Sequence, residues 1–256
     1  MILEEFDSSQ EAILNPNMFH KKIEGIPSTC IAFFSLDIMD TIKENFKLEK
    51  VSQIFGETTK TPIYKTTFNN THFAITHAPV GAPACVEFFE ELIAMGIKNL
   101  LLVGSCGCLV PEMQDYSIII PTSAIRDEGT SYHYLPANDE ISLDEKIIET
   151  IESVIKNCNI KYYKGKTWTC DALFRETKEK TQRRINQGAI AVEMECSAMV
   201  AVSKFRKVNF GQILYGADNL SKEKYEARNF VYTNKDSVSK IIPIALEVAY
   251  AINEKF

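Results

Sequence analysis

No stretch of this sequence approaches the roughly eighteen consecutive apolar residues that a membrane-spanning helix needs, so none is expected. The first ten residues are acidic and lack both the basic region and the apolar stretch of a secretory signal, which makes the cytoplasm the expected compartment. Positive charge is also short. The 28 Lys and Arg against 34 Asp and Glu leave a formal net charge of −6, without the diffuse positive field that nucleic acid or an anionic membrane would require. A small-molecule partner is expected instead. The seven cysteines are an odd number, and Cys85, Cys106, Cys108 and Cys196 lie in apolar runs, as buried thiols do in a reducing compartment. In Cys106-Gly107-Cys108 a single residue separates the thiols, and no second Cys or His pair lies at zinc-finger spacing, so no metal is expected. Internal repeats, low-complexity tracts and a Pro- or Gly-rich linker are missing too, so a single domain over residues 1–256 is expected.

What is present is enough apolar material for a large core: 45% of the 256 residues are hydrophobic. From Thr29 onward short apolar runs alternate with amphipathic stretches, the pattern of an α/β fold in which helices cover a mostly parallel sheet. The runs predict strands over 30–34, 72–77, 99–103, 117–121, 189–194 and 211–216. Helical spacing predicts helices over 85–95 (Val86, Phe89, Leu92, Ile93, with Gly96 as the stop), 143–157 and 237–252.

Three strand ends could carry chemistry. In Leu100-Leu101-Leu102-Val103-Gly104-Ser105-Cys106-Gly107 an apolar strand is expected to enter a tight turn, where glycines either make a plain strand exit or let backbone N–H groups and the Ser105 hydroxyl approach a ligand. In Ala191-Val192-Glu193-Met194-Glu195 two carboxylates close an apolar run. They are either solvated surface charge or acceptors for a vicinal diol such as the ribose hydroxyls. Asp218, after Leu214-Tyr215-Gly216-Ala217, is either a helix cap or turn former or a third group at the same sheet edge.

Val103-Gly104-Ser105-Cys106-Gly107, the run from Pro121 through Arg126-Asp127-Glu128 to Ser131, Phe174, Val192-Glu193-Met194-Glu195 and Asp218 occur in the order found in the nucleoside phosphorylase superfamily. From about Thr29 to its carboxyl end the chain resembles the purine nucleoside and uridine phosphorylases, with residues 1–28 as an extension packing on the domain. The resemblance implies a three-layer α/β/α sandwich around a central mixed, mostly parallel sheet, and a homohexamer or homodimer. It implies that Glu195 grips the ribose hydroxyls with Glu193 beside it, that Met194 packs under the sugar, that Phe174 stacks on the base, and that Ser105 and Gly107 hold inorganic phosphate as a co-substrate. No other cofactor is implied. Asp218 matches the acid that protonates purine N7, and Arg228 is a candidate for the Arg that helps it release its proton. Uridine phosphorylases read uracil with a Gln and an Arg a few residues after the stacking Phe. Lys178 and Lys180 occupy that stretch here, which points to a purine.

One part of the family pattern is missing. Its phosphate-binding arginines have no counterpart, because no Arg precedes Arg126. Ile38 and Leu102 stand at two of those positions, and Phe34 stands where a phosphate-contacting Gly is expected. A buried dianion without guanidinium partners must find several kcal/mol elsewhere. Lys43, Lys47, Lys60 and Lys65 are the nearest cations, each expected to be a solvated surface residue. The expected activity is phosphorolysis of a nucleoside, with two alternatives. In one, water is the nucleophile and Asp37 its base, although Asp37 also reads as the N-cap of a helix over 38–46. In the other, the protein binds nucleosides without cleaving them. His20 and His133 are expected to be structural rather than to reach a neighbouring site.

Overall fold

The computed structural model describes residues 2–57, 59–228 and 239–256. Its elements in the first half are β1 (Thr29–Phe33), α1 (Leu36–Asn45), β2 (Glu49–Phe55), β3 (Lys60–Phe68), β4 (Thr71–His77), α2 (Ala82–Met95), β5 (Asn99–Cys108) and β6 (Ile118–Asp127). The second half adds β7 (Glu140–Ser142), α3 (Glu145–Asn157), β8 (Tyr162–Cys170), α4 (Lys178–Asn186), β9 (Ala189–Glu193), α5 (Cys196–Arg206), β10 (Asn209–Asn219) and α6 (Ile241–Lys255). All ten strands belong to one mixed sheet between helical layers, the expected architecture. On one side α3 packs with α6, and on the other α2 packs with α5. No helix among the described residues is long and apolar enough to cross a membrane.

The sheet does more than alternate strands with helices. β5 pairs in parallel with β10, β10 antiparallel with β6, β6 in parallel with β8, β8 in parallel with β9, and β9 antiparallel with β5. These five strands therefore close a ring. β1 lies beside β5 and starts an open wing that continues through β4, β3 and β2. Closure pairs every strand of the ring on both sides, which removes the free edge an open sheet would leave there.

Each predicted strand forms, with shifted ends. In β5 the expected turn at 104–107 does not occur, and the strand runs straight through to Cys108, paired with β10. Gly104 and Gly107 instead serve close packing. A Cβ on Gly104 would lie 2.4 Å from Cδ2 of Phe34, and one on Gly107 would lie 2.6 Å from Cδ1 of Leu220 and 2.8 Å from Cγ1 of Val192. The helix predicted over 85–95 starts earlier, at Ala82, with Pro83 in its first turn, and Gly96 closes it at φ 118°, where a side chain would be strained. Asp144 caps α3, accepting from the amides of Lys146 and Ile147. The last helix begins at Ile241 in place of 237, and residues 237 and 238 lie outside the described residues. Ser35, not Asp37, is the N-cap of α1, with its hydroxyl accepting from the Ile38 amide, so Asp37 falls within the first turn.

Residues 2–28 lie against α2 and α5: the Ile23 amide donates to the Met95 carbonyl, and Arg206 donates to the Gln10 carbonyl at 2.7 Å. His20 bonds Glu91 of α2. Six of the seven cysteines are buried free thiols, and Cys158 is exposed.

Candidate functional site

The ring brings its acids to one level. Through the pairing of neighbouring strands, Trp168 of β8 lies beside Val192 of β9, Val192 beside Gly107 of β5, and Gly107 beside Asp218 of β10. Glu193 and Glu195 follow directly where β9 ends and α5 begins. The two acids play different parts. Glu193 accepts from the amides of Glu195 and Cys196 at 2.7 and 2.6 Å, and from the Thr169 hydroxyl at 2.7 Å. It thus supplies the orphan amides at the start of α5 with a carboxylate, the charge that a helix N-terminus favours. Through these bonds Glu193 also holds its neighbour Glu195 in place.

Glu195 is the acid that faces the chain across the site. Its Oε1 accepts from the Gly81 amide at 2.6 Å, and its Oε2 from the Met194 amide. Gly81, at φ 97°, opens α2 in a conformation that favours glycine, and so aims its N–H at this carboxyl. Burial pushes both carboxyls above the ordinary carboxylate range, and the charge of Glu193 raises Glu195 further. Glu193, with its donors at the helix terminus, holds the charge better, and Glu195 stays protonated more readily. Met194 sits between them, partly exposed.

Asp218 lies at a register shift in β10, opposite Gly107, where the missing Cβ leaves room for its Oδ1. It is the last strand residue but one, neither a helix cap nor a turn former. Its Oδ2 accepts from the Tyr225 hydroxyl at 3.0 Å. Burial raises its pKa, against the opposing effects of the Tyr225 bond and the charge of Arg228. Burial and then the charge of Asp218 push Tyr225 up to about 12, so it stays a proton donor. Arg228 is not in direct contact with Asp218. Its guanidinium bonds Glu226, Asp115 and the Met113 carbonyl, and it acts on Asp218 only through space.

Asp218 opens into a cavity of about 640 Å³, walled by Leu173, Phe174, Glu176, Leu220 and Tyr225 among others. Phe174, on a short 3-10 turn, is 95% exposed at this cavity, an aromatic face with no ring stacked on it among the described residues. Sequence reasoning passed over Glu176 and Tyr225. Glu176 is pushed up to about 7 by burial and then by the charge of Asp218, with Lys180 opposing. Only its place, two residues after Phe174 and just before the N-cap Thr177, could have drawn notice. Lys180 itself is bonded to Asp127 at 2.8 Å, as are Arg184 at 3.1 Å and the Trp168 indole N–H at 2.8 Å. That cluster fastens α4 to β6 and β8. Lys178 is exposed and lines the cavity.

The other end of the site is built differently. Ser105 is exposed on β5, paired with Tyr215 of β10. Beside it the Phe34 ring covers Gly104. Phe34 is fixed by its own backbone, its amide donating to Val103 at 3.1 Å and its carbonyl accepting from the His77 ring at 2.9 Å. Ile38 and Leu102, at positions where the family pattern calls for arginine, are fully buried core residues. Lys43 bonds Asp40 and Lys65 bonds Glu49, while Lys47 and Lys60 are exposed. Asp37, free of the capping role, acts electrostatically on Tyr215, the residue paired with Ser105.

A sequence profile of the phosphorylase superfamily matches residues 30–249. Among relatives, a guanosine phosphorylase from Halorubrum lacusprofundi is 22% identical over 78% of this chain and 85% of its own. A DeoD-type purine nucleoside phosphorylase from Aliivibrio salmonicida is 24% identical over 81% and 87%, and a uridine phosphorylase from Treponema pallidum is 24% identical over 68% and 74%. Among solved structures, uridine phosphorylase from Vibrio fischeri has the same fold, with a TM-score of 0.78 at 21% identity, covering 96% of this chain and all of its own.

Proposed function

We propose, from the premise that this chain belongs to the phosphorylase superfamily, that it cleaves the N-glycosidic bond of a nucleoside and releases a purine. The observation that carries this reading is Asp218, a carboxyl whose pKa burial raises, opening beside Tyr225 into the cavity that Phe174 walls. A purine stacked on Phe174 offers N7 to Asp218. Protonation there lets the base leave neutral as the C1′–N9 bond breaks and the sugar takes on oxocarbenium character. Glu195, held by the Gly81 amide, supports the ribose hydroxyls above Met194, and Glu193 holds Glu195. No cofactor enters this scheme. A neighbouring subunit completing the site belongs to the same reading.

For the acceptor, the relatives named phosphorylases favour inorganic phosphate, giving free base and a sugar 1-phosphate. The packing of Phe34 on Gly104 favours a second reading, in which water attacks and Asp37 is its base, because an apolar ring occupies space beside Ser105 and gives an anion nothing in return. Incubation with inosine, adenosine and uridine, with and without phosphate, separates them by product. Sugar 1-phosphate formed only with phosphate supports phosphorolysis, and free ribose independent of phosphate supports hydrolysis. No base release from any nucleoside overturns both.

A further inference from the structure

The mechanism above uses one acid of the cavity, yet three line it: Asp218, Glu176 and the exposed Glu223. Glu176 enters from the turn that carries Phe174, and Asp218 from β10. Glu176 feels the charge of Asp218, and Lys180 is bonded to Asp127, so Glu176 has no ion-pair partner of its own among the described residues. On a purine, N7 and the substituent at C6 lie along one edge. A carboxyl beside the one that addresses N7, in the same cavity, therefore meets the 6-substituent.

We infer that Glu176 reads the 6-position of the bound purine, donating to a 6-oxo group when protonated and accepting from a 6-amino group when ionised. This rests on the reading that the cavity takes a purine. The cavity makes both forms available. Burial and the charge of Asp218 hold the Glu176 proton to about pH 7, with Lys180 from α4 opposing and Asp127 from β6 adding to the rise. Tyr225 feels Glu176 as well, but its own hydroxyl is bonded to Asp218. Among the described residues, Lys178, Lys222 and Glu223 are the other charged groups lining the cavity. Below neutrality Glu176 presents a donor to O6, beside the carboxyl that addresses N7. Above it Glu176 becomes an acceptor, which repels O6 and welcomes an amino group. A mismatched buried polar contact is costly, so base preference should turn over with pH.

Equilibrium binding of 9-methylhypoxanthine and 9-methyladenine by calorimetry tests this at pH 6 and pH 8.5. The methyl group fixes the tautomer and leaves no glycosidic bond to cleave. Asp218 faces N7 in both probes, so its titration cancels in the ratio of the two Kd values. The ratio of the 9-methyladenine Kd to the 9-methylhypoxanthine Kd should fall about tenfold from pH 6 to pH 8.5 in the wild-type protein. In Glu176→Gln, whose amide both donates and accepts at every pH, it should stay constant within about twofold. A constant ratio in the wild type, the same pH dependence in Glu176→Gln, or no binding of either probe overturns the assignment. The outcome is separable from the proposed activity. A protein that releases base from nucleosides but holds a constant ratio loses only the role of Glu176. One that shows the turnover without releasing base loses only the cleavage.

Discussion

Around Asp218, six ionisable side chains line an open cavity, whereas beside Ser105 the backbone at Gly104 is packed shut by the ring of Phe34. Both ends hang on the same segment of β5. Gly107 makes room for Leu220, Val192 and Asp218, and Gly104 makes room for Phe34. At the proposed base end burial works on acids, raising the pKa of both Asp218 and Glu176. At the acceptor end burial works on Ile38 and Leu102, where a charged side chain would be needed to hold an anion. On the proposed reading, the two halves of a glycosyl transfer are separable in one fold: the leaving-group half depends on carboxyls raised by burial, and the acceptor half on a pocket of opposite charge.

The largest effect should come from the base end. Asp218→Asn should slow purine release by roughly 10²–10⁴-fold, the usual range for a general acid, measured as free base. In the wild type release should also fall as pH rises through the raised pKa of Asp218, since the acid must be protonated to act. That alkaline limb should vanish in Asp218→Asn, and a surviving limb would assign it to another group.

The acceptor end should answer in stability rather than in rate. Gly104→Ala puts a Cβ 2.4 Å from the Phe34 ring and should cost roughly 1–3 kcal/mol by overpacking, read from denaturant unfolding. Combining it with Phe34→Ala should recover part of that loss; strict additivity would mean that the two do not press on each other.

How far the sequence told these ends apart depends on what each residue needed from distant ones. Continuous apolar runs announced β1, β4, β5, β9 and β10, because strands buried on both faces have no polar side to blur them. Strands β2, β3 and β8 went unread, since Lys50, Gln53, Lys60, Lys164 and Lys166 interrupt them where their faces meet solvent. Helix α5 went unread for the opposite reason, being buried nearly all round and so without a polar stripe. Gly104 and Gly107 were legible as special but not in kind. Glycine signals freedom of φ locally, whereas here it answers to Phe34 and Leu220, which only folding brings near. The motif Glu193-Met194-Glu195 drew attention to two acids, but which one caps a helix depends on where α5 starts. Phe174 and Asp218, named by resemblance, do line one cavity, while Glu176 beside them carried no local signal.

Glu195, where β9 gives way to α5, has its carboxyl raised by burial and by Glu193. An acid raised in the folded state stabilises fully below its unfolded pKa, and that stability is lost as pH rises through the folded value. Glu195→Gln should therefore differ little from wild type near pH 5 and be more stable by about 1 kcal/mol or more at pH 9, by urea unfolding at both. Equal differences at both pH values would mean that Glu195 ionises in the folded protein as easily as in the unfolded chain.

The smallest effect should come from Ser105→Ala. Ser105 is exposed on β5, so its loss should change stability by less than about 0.5 kcal/mol. Its only expected trace is kinetic. If phosphate is the acceptor, one hydrogen bond near the solvent is worth about 1 kcal/mol, so KM for phosphate should rise about fivefold with kcat nearly kept. If water is the acceptor, base release should not notice the change at all. A fivefold shift would mean that Phe34 leaves room for an anion held by the strand edge, and the contrast between the two ends would then be one of affinity. No shift would mean that the acceptor end has lost phosphate altogether while the base end keeps its acid.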